Sequence, residues 1–385
     1  MKIAYIYDAI YPWVKGGAEK RVYELSRRLA ARGHEVHCYG IKWWDGKDVI
    51  EKDGVKLHGV CSAQVLYFNE RRSIKVPIYF AIKILYPLMK ENFDVIDCQQ
   101  FPYFPCLSSK IYSITKNVPL IITWYEAWGN YWFKYLGILG IFGWIIERFV
   151  LMMPNAIIPI SEKIQEDLAS IGTSRDIMKV VPNGVDFITI ENLSSDCTKI
   201  FDIIYVGRLI SHKNLDILLR AVYLLKRKYP IISCCIIGDG PEKENLLRLC
   251  EDLDIEENVS FLGFIESDEA IYKYMHLSRI FILPSTREGF PNTILEANSC
   301  GLPVIIIKHE NNAATGVIRN GYNGYILNLS SEEIAEKVIC LLEDINLMAI
   351  LNQNAKNFAK DFNWNIIIDK IEKVYEDVES CQAIG

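Results

Sequence analysis

The chain has 385 residues, with 42 Lys and Arg against 48 Asp and Glu, for a formal charge of −6. That length predicts two ordinary domains over one large one, and the acidic balance argues against a dedicated nucleic-acid binder. Half of the residues are hydrophobic and 23% are charged, as in a well-packed globular protein.

The eleven cysteines are scattered, form no C-x-x-C and lack histidines at metal-ligand spacing. They predict a reducing, cytoplasmic setting and no metal site. The opening run Met1–Asp8 reads as a short buried strand, too soon interrupted for a signal peptide. Residues 1–185 carry 23 Lys and Arg against 18 Asp and Glu, and the remainder 19 against 30. A basic N-terminal half suits an anionic membrane surface or an anionic acceptor, although solvated surface charge with no partner is the commoner meaning. No segment is expected to span a bilayer. The best candidate, Tyr135–Met153, is broken by Glu147-Arg148 and contains three glycines, so it reads as a buried or interfacial helix. Residues Arg71–Lys90 mix basic and apolar positions, which suits a helix on a membrane or, the favoured reading, one facing the core.

In chain order, Met1–Tyr7 predicts a strand and Glu19–Arg32 a helix, with Val22, Leu25, Leu29 and Ala30 on one face. Gly33-His34-Glu35 ends that helix and Val36–Tyr39 is the next strand. Phe93–Cys98, Leu120–Thr123 and Ala156–Ile160 follow as strands between helices. A polar stretch from Asp186 to Lys199, with Asn192, Ser194, Ser195 and Asp196, reads as a linker. The alternation then restarts. Phe201–Val206, Ile231–Ile237, Val259–Leu262, Ile280–Leu283, Val304–Ile307 and Gly324–Leu327 are expected strands, and Asn214–Lys228 and Glu242–Leu253 expected helices. The fold class is therefore α/β, with two Rossmann-like domains facing across a cleft. The expected boundaries are 1–185 for the first domain and 186–362 for the second, leaving a tail of about 363–385. Ligands of such sheets bind beyond the C-terminal strand ends.

The candidate motifs fall at such ends. Gly16 and Gly17 precede a helix and leave the backbone open to a bulky anion; a plain flexible turn before a helix is equally common. Gly207-Arg208 follows the first strand of the second half, with Lys213 at the next helix start, so two cations flank a helix N-terminus as a diphosphate would require. Gly238-Asp239-Gly240-Pro241 forms a tight turn that either touches ligand or serves the fold alone. The most informative run is Glu288-Gly289-Phe290-Pro291-Asn292-Thr293-Ile294-Leu295-Glu296. Pro291 suits a first helical turn, so the helix is expected near Asn292, and Glu296 lies four residues on, roughly 6 Å along the axis. A first-turn acid complementing the helix dipole explains one carboxylate and not both. Phosphate oxygens at the backbone of Asn292 and Thr293, with hydroxyl-rich sugars at the two acids, explain the pair.

Taken in order, Gly16-Gly17-Ala18-Glu19, Pro182-Asn183-Gly184-Val185-Asp186, Gly207-Arg208-Leu209 with Lys213-Asn214, Gly238-Asp239-Gly240 and the Glu288–Glu296 pair closely resemble glycosyltransferase family four. The resemblance covers nearly the whole chain, including Phe362-Asn363-Trp364, which looks like the family's segment where the chain crosses back to the first domain. It implies the GT-B fold and retaining transfer of a sugar, expected to be a hexose, from a nucleotide-diphosphate sugar to a glycan or lipid-linked acceptor in polysaccharide or glycoconjugate assembly. It implies that Arg208 and Lys213 bind the donor diphosphate with Gly16, Gly17, Asn183, Gly207 and Gly238 nearby. Glu288 meets the transferred sugar, Glu296 the ribose, and Gly289 to Thr293 line the sugar and phosphate site. Glu288, Arg208 and Lys213 are the expected catalytic set; no cofactor and no metal are expected, because the cations and a helix dipole supply the countercharge.

One position departs from the pattern. Where many relatives carry histidine in a run like Trp-His-Glu, this chain has Trp124-Tyr125-Glu126. A phenol still hydrogen-bonds but is bulkier and neutral at pH 7, so Tyr125 opens the identity of the donor sugar. Glu126 is a candidate for acceptor or sugar contact, and Trp124, Tyr125, Trp128, Tyr131 and Trp132 form either an acceptor-stacking platform or aromatic core. Two other function classes stay open: a nucleotide-sugar epimerase on the same scaffold, and a degenerate, non-catalytic sugar-nucleotide-binding subunit. A dehydrogenase is disfavoured, since no G-x-G-x-x-G follows the first strand.

Overall fold

A computed structural model describes residues 1–68, 71–193, 198–310 and 312–384. The chain forms two compact units, residues 1–183 with 365–385 and residues 184–364.

In the first unit, β1 (Lys2–Ile6), α1 (Gly17–Ala31) and β2 (Glu35–Lys42) form the opening β-α-β turn of the chain. A hairpin of β3 (Val49–Lys52) and β4 (Val55–Ser62) and a small antiparallel pair, β5 (Tyr67–Phe68) with β6 (Arg71–Arg72), follow. Next come α2 (Lys75–Met89), β7 (Val95–Gln99), α3 (Phe104–Lys116), β8 (Leu120–Trp124), α4 (Tyr131–Leu136), α5 (Gly140–Leu151), β9 (Ala156–Pro159) and α6 (Glu162–Ser170). The seven-stranded sheet runs β3-β4-β2-β1-β7-β8-β9 and is parallel except for β3. Its central strands are buried along their length, as expected where helices cover both faces. The steps β4 to β7, β7 to β8 and β8 to β9 all cross the sheet in one direction. Right-handed connections therefore place α2, α3, α4 and α5 on one face and α1 on the other.

The second unit starts with α7 (Phe187–Asn192) and continues with β10 (Phe201–Val206), α8 (Leu215–Lys226), β11 (Cys234–Ile237), α9 (Lys243–Asp252) and β12 (Val259–Gly263). It goes on through α10 (Asp268–His276), β13 (Ser278–Leu283), α11 (Asn292–Ser299), β14 (Val304–Ile307) and β15 (Gly324–Leu327), and ends with α12 (Ser331–Glu343) and α13 (Ile345–Lys360). Its six strands are all parallel, in the order β12-β11-β10-β13-β14-β15. The final helix, α14 (Trp364–Ile384), carries the chain back to the first unit. There the Tyr375 hydroxyl donates to Asp97 at 2.7 Å and accepts from the Tyr5 hydroxyl at 2.8 Å.

Four local expectations need correction. Residues 187–192 of the expected linker form helix α7, because Phe187 and Ile190 are buried; Ser194, Ser195 and Asp196 lie outside the described residues. The strand expected from Ile231 starts at Cys234, since a turn closed by the Ile232 N–H on the Tyr229 carbonyl leaves Ile231 exposed. The apolar run Tyr135–Met153 is broken by a 3-10 turn at Gly137–Leu139 rather than forming one helix. A side chain at Gly140 would lie 2.3 Å from the Trp132 carbonyl oxygen and one at Gly143 2.3 Å from its ring, so these glycines let α5 fold onto α4. Finally, the chain divides at 183/184 and 364/365 where 185/186 and 362/363 were expected. The crossing segments pair with each other: Val185 N–H bonds Phe362 O at 2.9 Å, and a side chain at Gly184 would meet the Trp364 ring at 2.4 Å.

Candidate active site

In the second unit the site is assembled at the C-terminal ends of β10, β11 and β13. After β10 the chain turns through Gly207 and the exposed Arg208 into a 3-10 turn, Ser211–Lys213. Helix α8 then begins at Leu215, so Lys213 stands just ahead of the helix rather than within it. Asn214 between them adopts a left-handed conformation (φ 49°), and its side-chain amide donates to Pro284 O at 3.0 Å. The Thr286 N–H adds a bond to His212 O at 3.0 Å. These contacts fasten the loop after β10 to the loop after β13.

The fastening brings two residues 75 positions apart into one ion pair: Lys213 Nζ donates to Glu288 Oε1, with both side chains largely buried. Arg208 and Arg287 join Lys213 around His212. Burial first, and then these three cations, hold the His212 imidazole down at about 4. The loop thus has an excess of positive charge in a partly desolvated place, which favours a bound polyanion. Beyond it α11 begins at Asn292 with Pro291 at the N-cap, where no side chain caps the helix. Phe290 is buried, Gly289 and Thr293 are half-buried, and Glu296 is buried on α11, accepting from the Tyr272 hydroxyl at 3.4 Å.

Gly238 and Gly240 have a structural duty that the sequence reading left open. Gly238 has φ +141°, and a side chain there would lie 1.9 Å from the Gly207 carbonyl oxygen; at Gly240 it would lie 2.3 Å from that of Leu209. The two glycines let the loops after β10 and β11 stack, with Leu209 N–H bonded to Asp239 O at 3.0 Å. Asn312 was missed altogether. Fully buried, it donates to Ser285 O at 2.9 Å and Ile307 O at 2.8 Å while accepting from Ala314 N–H at 3.0 Å. Ala313 N–H in turn bonds Glu288 O at 2.9 Å. Asn312 therefore fixes the loop that carries Glu288, and no local pattern advertises an asparagine 24 residues downstream.

In the first unit Gly16 is the extended N-cap of α1. Glu19 folds back over it: a side chain at Gly16 would lie 2.3 Å from Glu19 Oε2. The Glu19 carboxylate accepts from its own N–H and, at 3.0 Å, from the Tyr7 hydroxyl, and burial raises its proton affinity. Gly16 thus has a packing reason to lack a side chain, while Gly17 is the first residue of the helix. Asn183 is buried, and its Oδ1 accepts from Arg21 Nη1 at 2.9 Å. Arg21, a fully buried guanidinium missed in the sequence reading, also donates to Pro182 O at 2.7 Å and Val181 O at 2.9 Å. It ties α1 to the segment that leaves the unit.

Tyr125 sits at the end of β8 with its hydroxyl donating to Gln99 Oε1 at 2.5 Å and its N–H to Gln100 Oε1 at 3.0 Å. Gln99 continues to Asp97, which also receives Thr123 and Tyr375 hydroxyls; burial lifts Asp97 to about 6. Glu126 accepts from Trp128 Nε1 at 3.0 Å. Of the aromatic cluster, Trp124 and Trp132 are core, whereas Trp128 and Tyr131 are half-buried. Trp128 stands among Phe101, Tyr131, Trp132 and Tyr135 at 4.5–5.9 Å between ring centres.

The comparisons agree with this architecture. Residues 15–187 match the model of Glycosyltransferase Family 4, and residues 198–358 that of Glycosyl transferases group 1. The chain is 31% identical over 172 residues to an uncharacterized glycosyltransferase of Haemophilus influenzae, covering 44% of this chain and 47% of that protein. It is 25% identical over 398 residues to a human phosphatidylinositol N-acetylglucosaminyltransferase subunit, covering 99% of this chain and 77% of that one. Among solved structures it is similar to Anabaena Alr3699/HepE in complex with UDP, with a TM-score of 0.78 at 20% identity over 98% of this chain and 100% of the other. With family models matching both units and a GT-B fold, the chain belongs to the family four glycosyltransferases.

Proposed function

We propose that this glycosyltransferase moves a hexose or related sugar, with retention of configuration, from a nucleoside diphosphate sugar to a lipid-linked saccharide or glycan. The observation that carries the reading is the Lys213–Glu288 pair beside Arg208 and Arg287, next to the open N-terminus of α11. A nucleoside diphosphate is the ligand class whose charge such a cluster offsets. In the proposed mechanism the diphosphate lies against Arg208 and Lys213, the sugar hydroxyls against Glu288, and the ribose diol against Glu296. The same cations stabilise the charge that grows on the leaving diphosphate as the sugar–phosphate bond lengthens. The acceptor hydroxyl attacks on the face the diphosphate leaves, and its proton passes to a diphosphate oxygen. No side-chain nucleophile is invoked. Gly16, Gly17, Asn183, Gly207 and Gly238 remain backbone or positioning residues of this proposal, and Tyr125 and Glu126 its contacts to sugar or acceptor.

UDP is the nucleotide of choice, since it is named in the Anabaena structure; a lipid-bearing acceptor is suggested by the name of the human relative. The work would then be done at the cytoplasmic face of a membrane. The test is to incubate the protein with UDP-, GDP- and ADP-sugars and to follow nucleotide release with and without lipid-linked and glycan acceptors. Release that needs an acceptor, with an α-anomeric product from an α-donor, supports the proposal. Sugar interconversion without acceptor would make the protein an epimerase, and binding without turnover would make it a degenerate sugar-nucleotide binder; either result rejects the proposal.

A further inference from the structure

The helical layer of the first unit presents an apolar surface to solvent. Along α5 and its C-cap, Phe142, Ile145, Phe149 and the capping Met152 recur at helical spacing on the side turned away from the sheet, and Phe142 and Met152 are 68% and 76% exposed. The opposite side of the same helix is buried through Gly143, Glu147, Val150 and Leu151. A helix apolar on both sides is expected only where both are covered. The turn before it exposes Ile138 and Leu139, and α2 adds Ile82 and Tyr86, which are 65% and 72% exposed, on its outer side. This is more than scattered surface hydrophobicity, because helices sharing one face of the sheet repeat it.

Charge identifies what covers it. The helices α2, α3, α4 and α5 carry six cations: Lys75, Lys83, Lys110, Lys116, Lys134 and Arg148. Their one acid, Glu147, is buried and turned inward, accepting from the N–H groups of Trp128 and Gly129 at 2.8 Å each. The face opposite differs: α14, which packs on it through Tyr375, carries Asp369, Glu372, Glu376, Asp377 and Glu379 against Lys370 and Lys373. Cations are also placed beside aromatic rings, Arg148 over Trp144 at 3.5 Å and Lys90 over Tyr86 at 4.1 Å, the pairing of an apolar–water boundary. Among the described residues no helix is long and apolar enough to cross a membrane.

We infer that the outer face of α2, α3 and α4–α5 is a docking surface for an anionic lipid bilayer, with α5 lying in the interface plane. Exposed apolar side chains enter the headgroup–acyl boundary, and the lysines meet acidic headgroups. The inference does not depend on the transfer reading, because lipid binding and turnover are read separately.

The test uses the full chain and sedimentation with vesicles of phosphatidylcholine alone or with about a third phosphatidylglycerol. Binding to the anionic vesicles, weak binding to the neutral ones and loss of binding at high salt are expected. The triple variant Phe142→Ser, Ile145→Ser, Phe149→Ser should bind roughly tenfold or more weakly with unchanged thermal unfolding, as these side chains are exposed. The pair Lys83→Glu, Lys134→Glu should weaken anionic binding and flatten its salt dependence. Equal binding by both vesicle types, no binding to either, or wild-type binding by both variants would overturn the inference. So would concentration-dependent dimerisation that the serine variant abolishes, since a second copy of the chain would then cover the face.

Discussion

At the residue scale, the proposed chemistry depends on a few charged groups whose surroundings were only partly legible in the sequence. Lys213 and Glu288 stood out because each follows a strand and flanks a helix start. Their mutual contact was not legible, since it depends on how two loops stack. Arg208→Ala or Lys213→Ala is expected to lower turnover roughly a hundredfold, the usual loss when a preorganised transition-state donor is removed. Glu288→Gln keeps the shape and loses the charge, so it should slow transfer more than it weakens UDP binding. Steady-state kinetics beside equilibrium binding would separate the two. His212 reports on the same charges. Its imidazole is held near 4 by burial and by Lys213, Arg287 and Arg208. A bound diphosphate neutralises those cations and favours the imidazolium, so the His212 titration should move upward when UDP is added. An unchanged NMR titration curve in saturating UDP would place the diphosphate elsewhere.

At the element scale, the strand-then-glycine pattern located the loops well. The alternation of apolar runs and helical patterns is a local property, and glycines after strands mark turns locally, although Gly238 and Gly240 are needed for a non-local reason, the close approach of the loop after β10. What periodicity could not supply was α7, a short helix set by the burial of Phe187 and Ile190 in a stretch of linker composition. Nor could it supply Arg21 and Asn312, whose partners lie far off in sequence or hidden in loops. Gly238→Ala tests the stacking directly, because the new methyl would collide with Gly207 O in a backbone conformation that resists a side chain. It should destabilise the second unit by at least about 1–3 kcal/mol, measured by chemical unfolding. Asn312→Ala strips partners from buried carbonyls and should cost about 1–3 kcal/mol, with looser UDP binding because the Glu288 loop loses its anchor.

At the scale of the whole molecule, the chain leaves the first unit once and returns to it. The return was legible in Phe362-Asn363-Trp364, but its structural weight was not. α14 places Tyr375 on Asp97 and Tyr5, and buries Ile367, Ile368 and Ile371 completely. Fully burying each such side chain contributes about 1.5–3 kcal/mol, so the three together are comparable with the net stability of a whole domain. Residues 1–183 without 365–385 should therefore fail to fold cooperatively, whereas residues 184–364 should fold alone. Circular dichroism melts of the two fragments would show it, and a cooperative melt of 1–183 alone would refute this role for α14.

The central claim is that the second unit's cation-rich loop and the start of α11 bind a nucleoside diphosphate. Calorimetric titration of UDP into the full chain tests it most directly, with Lys213→Ala and Glu296→Ala beside the wild type. The wild type should bind UDP, and each variant should bind roughly tenfold or more weakly while still unfolding in one cooperative transition, at a lowered temperature for Lys213→Ala because Glu288 loses its buried partner. Wild-type affinity in both variants, or a wild type that binds no nucleoside diphosphate, would contradict it.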